Sequence, residues 1–104
     1  MVNMENILQT VCANYQVRPE RIKGPMRGNA RTSEARALVI YFSREIPDIT
    51  VREIAEYLGR DYSSICCATK AIKRKMAEQE GFAARMGEIQ MAMMEPEAEE
   101  GTPV

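Results

Sequence analysis

The sequence has 104 residues, 45% hydrophobic and 28% charged, which fits one modest globular domain. No apolar run approaches the length of a membrane span and no signal-like segment opens the chain, so we expect a cytoplasmic protein. The net charge of −1 conceals an asymmetry, because residues 15–75 carry 13 Lys and Arg against 7 acids, whereas residues 76–104 carry one Arg against 7 acids. A basic body of this kind favours a polyanionic partner.

Two helices are predicted at the start of the chain. Asn3 or Asn6 can cap a first helix that reaches about Tyr15. Its buried stripe is expected to contain Ile7, Leu8, Val11 and Tyr15. Pro19, at a first-turn position, predicts a one-turn helix that ends at residue 22 or 23.

Residues 23–31 are predicted to form a cationic loop, because two glycines, a proline and an asparagine exclude a regular element. Arg27 in this loop can extend into the minor groove of a DNA duplex, which a helix cannot enter. The alternative is an ordinary exposed loop, in which arginine is common.

The third helix is the clearest amphipathic segment and the predicted centre of the core. Thr32 or Ser33 is expected to cap it, and Pro47 to stop it. Its apolar face consists of Ala35, Leu38, Val39, Phe42 and Ile46. Arg36 and Arg44 are expected off that face, where they either meet phosphates or are solvated surface charges.

A helix, a tight turn and a second helix are predicted between residues 49 and 76. Thr50 and Glu53 have the spacing of a capping box. Gly59 can supply the left-handed residue that ends the first helix, and Asp61 can cap the second.

The second of these helices has an outer face that suits DNA. Its inner face should contain Ile65, Ala68, Thr69, Ile72 and Met76. Its outer face should contain Tyr62, Ser63, Ser64, Cys67, Lys70 and either Lys73 or Arg74. Hydroxyl groups at the N-terminal turn can reach base edges, and cations behind them can reach phosphates. Similar pairs of short helices also occur in helical proteins that do not bind DNA.

A last helix is predicted over residues 79–94, with Phe82, Met86, Ile89 and Met93 at helical spacing. This face either packs back on the domain or forms a homodimer or protein-partner surface. Residues 95–104 are acidic, contain two prolines and are expected to be a disordered tail. The domain itself should therefore span residues 1–94.

The sequence lacks the usual residues of catalytic and metal sites. It has no histidine, and its three cysteines form no C-x-x-C pair, so a zinc site is not expected. No nucleophile with a histidine base is possible, and no glycine-rich phosphate loop is present. We therefore expect neither an enzyme nor a cofactor, a metal or a small-molecule substrate.

The order of these parts resembles the C-terminal DNA-binding domain of the bacterial replication initiator DnaA. Residues 35–46 read ARALVIYFSREI, which is similar to the family's A-R-x-x-A-M-Y-L-A-R-E-L core helix. Residues 50–55 (TVREIA) and 58–65 (LGRDYSSI) are similar to its S-L-x-E-I-G and F-G-G-R-D-H-S/T-T-V segments. The resemblance covers roughly residues 4–76 and implies an all-α helix-turn-helix domain of five to six helices, with a TrpR-like layout.

The resemblance also implies which residues contact DNA. Asp61, Tyr62, Ser63 and Ser64 occupy its major-groove positions, and Arg27 or Arg31 its minor-groove position. The full implied set is Arg27, Arg31, Arg36, Arg44, Val51, Arg52, Arg60, Asp61, Tyr62, Ser63, Ser64, Cys67 and Lys70.

This sequence departs from the family at several reading positions. Tyr62 replaces a histidine, the Ser63-Ser64 pair replaces two threonines, and the turn has one glycine where two are common. The family's ATP-hydrolysing part is not recognisable in the sequence. We expect sequence-specific double-stranded DNA binding without ATPase activity, in the control of replication initiation or transcription. The alternative is an adaptor that binds a protein through its Met-rich last helix.

Overall fold

The computed structural model describes residues 3–24 and 28–94. Six helices and no strands occur in these two segments. They are α1 (Met4–Tyr15), α2 (Pro19–Ile22), α3 (Ala30–Arg44), α4 (Val51–Leu58), α5 (Tyr62–Glu78) and α6 (Glu80–Met94). The predicted all-α class with five to six helices is confirmed.

Helices α1 and α2 begin and end where local chemistry predicts. Of the two candidate caps it is Asn3 that caps α1, because its Oδ1 accepts a hydrogen bond from the Asn6 amide at 2.7 Å. The predicted stripe of α1 is buried. Pro19 occupies the first turn of α2, where its missing N–H is not needed.

Helix α3 starts earlier than predicted. Asn29, and neither Thr32 nor Ser33, is the N-cap, since Asn29 Oδ1 accepts a hydrogen bond from the Thr32 amide at 2.8 Å. Residues 30 and 31 therefore belong to the helix and not to the loop. The helix ends at Arg44, before Pro47.

The core forms around α3, which packs against α1, α2, α4 and α5. Four of its five predicted apolar residues are buried, and the fifth, Ile46, is half-buried at its end. Burial contributes about 1.5–3 kcal/mol for each large apolar side chain, so Leu38, Val39 and Phe42 contribute substantially to stability.

Arg36 contradicts the expectation of a surface position. Its side chain is only 5% exposed. Its Nε donates to the Ile22 carbonyl and its Nη2 to the Arg21 carbonyl, each at 2.8 Å. The guanidinium thus satisfies the free carbonyls at the end of α2 and fastens that short helix to α3. Burial, with a contribution from the nearby Arg60 cation, lowers the pKa of Arg36.

Glu34 on α3 joins α1 and α5 through its carboxylate. It accepts a hydrogen bond from the Tyr15 hydroxyl and pairs with the Lys75 ammonium. Lys75 Nζ lies 4.9 Å from the centre of the Phe82 ring, and the Arg85 guanidinium lies 4.6 Å from that of Tyr15. Although burial acts in the opposite direction, these donors lower the pKa of Glu34.

Helix α6 packs back on the domain, against α1 and α5. Phe82, Met86, Ile89 and Met93 are buried, as their spacing predicts, and Met91 on the other side is 69% exposed. The predicted acidic tail, residues 95–104, lies outside the described residues. None of the helices in the described segments is long and apolar enough to cross a membrane.

Candidate nucleic-acid interface

Helix α4 begins with a complete capping box. The Thr50 amide donates to Glu53 Oε1 at 2.8 Å, and the Glu53 amide donates to Thr50 Oγ1 at 3.1 Å. Both predicted partners therefore satisfy a free N–H group. The Val51 and Arg52 amides, in the first turn of α4, have no acceptor within the helix.

The turn between α4 and α5 depends on Gly59. Its φ of 69° and ψ of 36° are left-handed, and its N–H points at the carbonyls of Ala55 and Glu56. The following amide, that of Arg60, donates to the Ala55 carbonyl at 2.9 Å. This is the predicted glycine stop, and it turns the chain sharply into α5.

Helix α5 presents a polar N-terminal turn to solvent. Asp61 caps it by accepting a hydrogen bond from the Ser64 amide at 2.8 Å, as predicted. That backbone hydrogen bond is the main reason why the pKa of Asp61 is lowered. Tyr62 is 63% exposed, and Ser63, also in the first turn, is exposed.

The two faces of α5 divide as their spacing predicts. Ile65, Thr69 and Ile72 are buried, whereas Cys67 and Lys70 are exposed. Ala68 and Met76, at the margin of the inner face, are half-buried, as is Ser64 at the start of the helix. The outer face from Asp61 to Lys70 is therefore a free polar surface.

The basic loop is attached directly to the helix-turn-helix turn. The Gly24 amide donates to the Leu58 carbonyl at 2.7 Å, and Arg60 Nη1 donates to the Gly24 carbonyl at 3.2 Å. A Cβ on Gly59 would lie 3.4 Å from Gly24 backbone atoms, so the two glycines pack closely. Residues 25–27, including the predicted minor-groove residue Arg27, lie outside the described residues.

Both described ends of this loop use left-handed glycines. Gly24 has a φ of 96° and Gly28 a φ of 77°. A Cβ on Gly28 would come within 2.9 Å of Thr32 Cγ2, so this end is packed against the first turn of α3. Both ends of the loop are thus fixed to helices of the domain.

The remaining predicted contact residues lie on α3 and α4. Arg52 has an 86% exposed side chain and a long ion pair, 3.6 Å from its Nε to Glu56 Oε2. Arg44 is exposed, and its Nη1 donates to Thr69 Oγ1 at 3.3 Å. Arg31 is exposed in the first turn of α3.

Sequence reasoning missed a polar cluster that supports this surface. Lys23 Nζ lies 4.0 Å from the centre of the Tyr57 ring, and the Tyr57 hydroxyl donates to Glu5 Oε1 at 2.5 Å. Burial and that hydrogen bond raise the pKa of Tyr57 to about 12. Glu5 and Tyr57 are 52 residues apart, so no local pattern signals their contact.

The three cysteines are free thiols. Cys12 is buried, and burial raises the pKa of its thiol to about 11. Cys66 and Cys67 are free and adjacent on α5. Among residues 3–24 and 28–94 no group of three or more Cys, His, Asp or Glu side chains is placed to hold a metal.

These features define a small all-α helix-turn-helix domain, the class of fold that presents its second helix to DNA. A family model described as the bacterial dnaA protein helix-turn-helix matches residues 4–72. The chain therefore belongs to the DnaA helix-turn-helix family, which confirms the resemblance drawn from residues 4–76.

Curated relatives agree with this assignment. The chain is similar to chromosomal replication initiator proteins DnaA of three bacteria. Over 100 residues it is 30% identical to that of Deinococcus radiodurans, covering 95% of this chain and 21% of that protein. For Helicobacter hepaticus the identity is 33% over 78 residues, or 74% and 17% of the two chains. For Nautilia profundicola it is 28% over 90 residues, or 86% and 20%. The chain spans about a fifth of the length of these relatives.

Proposed function

We propose that this chain binds a specific double-stranded DNA sequence, with α5 in the major groove and residues 25–27 in the adjacent minor groove. The observation that carries the proposal is the exposed polar face of α5. Its N-terminal turn is free of the core, whereas Ile65, Thr69 and Ile72 hold the opposite face in place. This is the arrangement in which a recognition helix reads bases.

Base reading is assigned to the first turn of α5. The hydroxyls of Ser63, Ser64 and Tyr62 can donate and accept hydrogen bonds at base edges. Asp61 uses one carboxylate oxygen to cap Ser64, which leaves the other to accept a hydrogen bond from a base amino group. Cys67 lies on the exposed face further along α5 and can make an apolar contact there.

Phosphate binding is assigned to groups that flank this turn. The Val51 and Arg52 amides at the start of α4 form a helix N-terminus of the kind that binds phosphate. The nearby cations assigned to phosphates are Arg44, Arg52, Arg60 and Lys70. Because Arg36 is buried, we assign it the role of holding α2 on α3 and thereby placing the loop.

The relatives are named as chromosomal replication initiators, so we place the activity at the nucleoid in the cytoplasm, in control of replication initiation or of transcription. The proposed activity is binding alone. It requires no cofactor and no ATP hydrolysis by the residues of this chain.

The test is selection of bound duplexes from a randomised pool at two salt concentrations. We expect one short motif to be enriched and to persist at the higher salt, because base contacts survive when counterion release contributes less. Binding without an enriched motif that is lost at the higher salt would leave only phosphate attraction and would refute specific reading.

Variants separate the two kinds of contact. Tyr62→Ala and Ser63→Ala should change which sequence is enriched, at a cost of about 1–3 kcal/mol for the original site. Arg27→Ala and Arg52→Ala should weaken binding to all sequences alike. Each should also reduce the salt slope, which is the slope of the logarithm of the binding constant against the logarithm of the salt concentration, by about one. Equal losses on every sequence for all four variants would contradict this division.

A second candidate function is binding of a protein partner or second copy through α6, and the exposure of Met91 favours it. The buried Met86 and Met93 are used by the domain itself. A standard interface needs roughly 800 Å² per partner, so one exposed methionine is a small basis. Light scattering of the wild type and of Met91→Ser tests it: a dimer that the substitution dissociates would support this candidate.

A further inference from the structure

Three arginines line one open cleft beside the loop. Arg18, Arg21 and Arg31 surround it together with Gln16, Asn29 and Thr32, and its volume is about 260 Å³. Arg18 and Arg21 come from the start and end of α2, and Arg31 from the first turn of α3. None of its seven lining residues, which also include Val17, is acidic.

The charge of these arginines is not neutralised within the described segments. All three are exposed, and their guanidinium groups make no hydrogen bond or ion pair to residues 3–24 or 28–94. By contrast, Arg52 has Glu56 and Lys75 has Glu34. A concave site lined by one sign of charge concentrates its field, so it attracts an anion.

The position of the cleft connects it to the proposed interface. Arg21 lies just before the first end of the loop, and Asn29 and Arg31 lie just after the second. The first end is bonded to the turn through Gly24 and Leu58, and Arg36 fixes the end of α2. The cleft therefore adjoins both described ends of the loop, and the first of these ends is bonded to the turn between α4 and α5.

Resting on the DNA binding proposed above, we propose that this arginine cleft binds a DNA backbone phosphate outside the base pairs covered by α5 and the loop. Guanidinium groups are suited to phosphate because their N–H groups form a planar fork that donates two parallel hydrogen bonds. The cleft would extend the footprint at one end of the site without adding sequence information.

The test measures the binding of each variant to three duplexes that contain the selected motif. The first has long flanks on both sides, the second has one flank trimmed, and the third has the other flank trimmed. Arg18→Ala and Arg31→Ala remove cleft cations from exposed positions. Arg52→Ala is the matched control, because it removes the same charge at the start of α4. Circular dichroism confirms that each variant is folded.

We expect Arg18→Ala and Arg31→Ala each to weaken binding to the long duplex roughly three- to fivefold, as for an exposed ion pair. Their salt slope should fall by about 0.9 for each phosphate that the variant no longer binds. On the duplex trimmed at one particular end their effect should disappear, whereas the weakening caused by Arg52→Ala should be the same on all duplexes.

Two outcomes would overturn the cleft assignment and leave the proposed function intact. One is specific binding by the wild type with an Arg18→Ala effect that does not depend on flank length, as general electrostatics would give. The other is saturable binding of inorganic phosphate at the Arg18 and Arg31 side chains, observed by NMR at constant ionic strength, together with an unchanged affinity of Arg18→Ala and Arg31→Ala for the long duplex, which would indicate a site for a free anion. A wild type that binds no duplex would overturn both proposals.

Discussion

Replacing Arg36 distinguishes a buried structural role from direct phosphate contact. Arg36→Ala removes the 2.8 Å hydrogen bonds to the Ile22 and Arg21 carbonyls and leaves the Ile22 carbonyl buried without this donor. Hydrogen bonds to charged groups are worth about 1.5–3 kcal/mol each. The Arg21 carbonyl is only partly buried, and the repulsion from Arg60 is relieved, so we expect a loss near the lower sum, about 3 kcal/mol.

The assay is urea unfolding followed by helical circular dichroism, with Arg44→Ala as the control. Arg44 is exposed and makes one long hydrogen bond, 3.3 Å, so its removal should cost less than about 1 kcal/mol. Arg36→Lys should lie between Arg36→Ala and the wild type, because an ammonium group lacks the planar fork. An Arg36→Ala domain of unchanged stability whose DNA binding is weakened on all sequences would refute this account and restore the phosphate role.

Three other changes test the turn, the half-buried Glu34 carboxylate and the tail. Gly59→Ala should lower the free energy of unfolding by about 1–2 kcal/mol in thermal unfolding, because its φ of 69° is left-handed. The control Gly81→Ala, inside α6 with open space around it, should be neutral or stabilising. Equal effects of the two substitutions would contradict the need for a left-handed residue at Gly59. The pKa of Glu34 in the folded domain is lowered from 4.5, so its contribution to stability is present above about pH 4.5 and is lost as the pH falls through the folded pKa. Glu34→Gln should therefore lower the stability at neutral pH and make stability decline less steeply in acid. A pH profile of stability identical to that of the wild type would refute this. Deleting residues 95–104, which carry four glutamates, should strengthen DNA binding at low salt if the tail competes for the basic surface, and an unchanged affinity would show that it is inert.

The parts of the fold that depend on neighbouring residues were predictable from the sequence. The capping box at Thr50 and Glu53, the stop at Gly59 and the cap at Asp61 each involve residues three or four positions apart. The same holds for the buried stripe of α3. Helical periodicity and caps act within a turn or two of chain, so a sequence displays them directly.

The sequence mispredicts those residues whose hydrogen-bond partners or packing contacts lie elsewhere in the chain. The sequence predicts Arg36 as a surface cation, because its acceptors are carbonyls of residues 14 and 15 positions away and no local pattern reveals them. The sequence also predicts the start of α3 too late, because Asn29, Thr32 and Ser33 lie close together and each of them can cap a helix. The structure selects Asn29, while Thr32 is buried against Gly28. The arginine cleft likewise depends on how α2 meets α3.

The hydrogen bond between the Gly24 amide and the Leu58 carbonyl affects the entropy change when the domain binds a ligand. It exists in the free domain, so the first end of the basic loop is already ordered before any ligand arrives. The conformational entropy of that segment is lost during folding and need not be lost again in a complex. It also holds the first end of the loop, Gly24, at a fixed distance from the end of α4. If DNA is bound as proposed, an insertion of base pairs between the segments assigned to the loop and to α5 could not be accommodated by stretching the protein at this point.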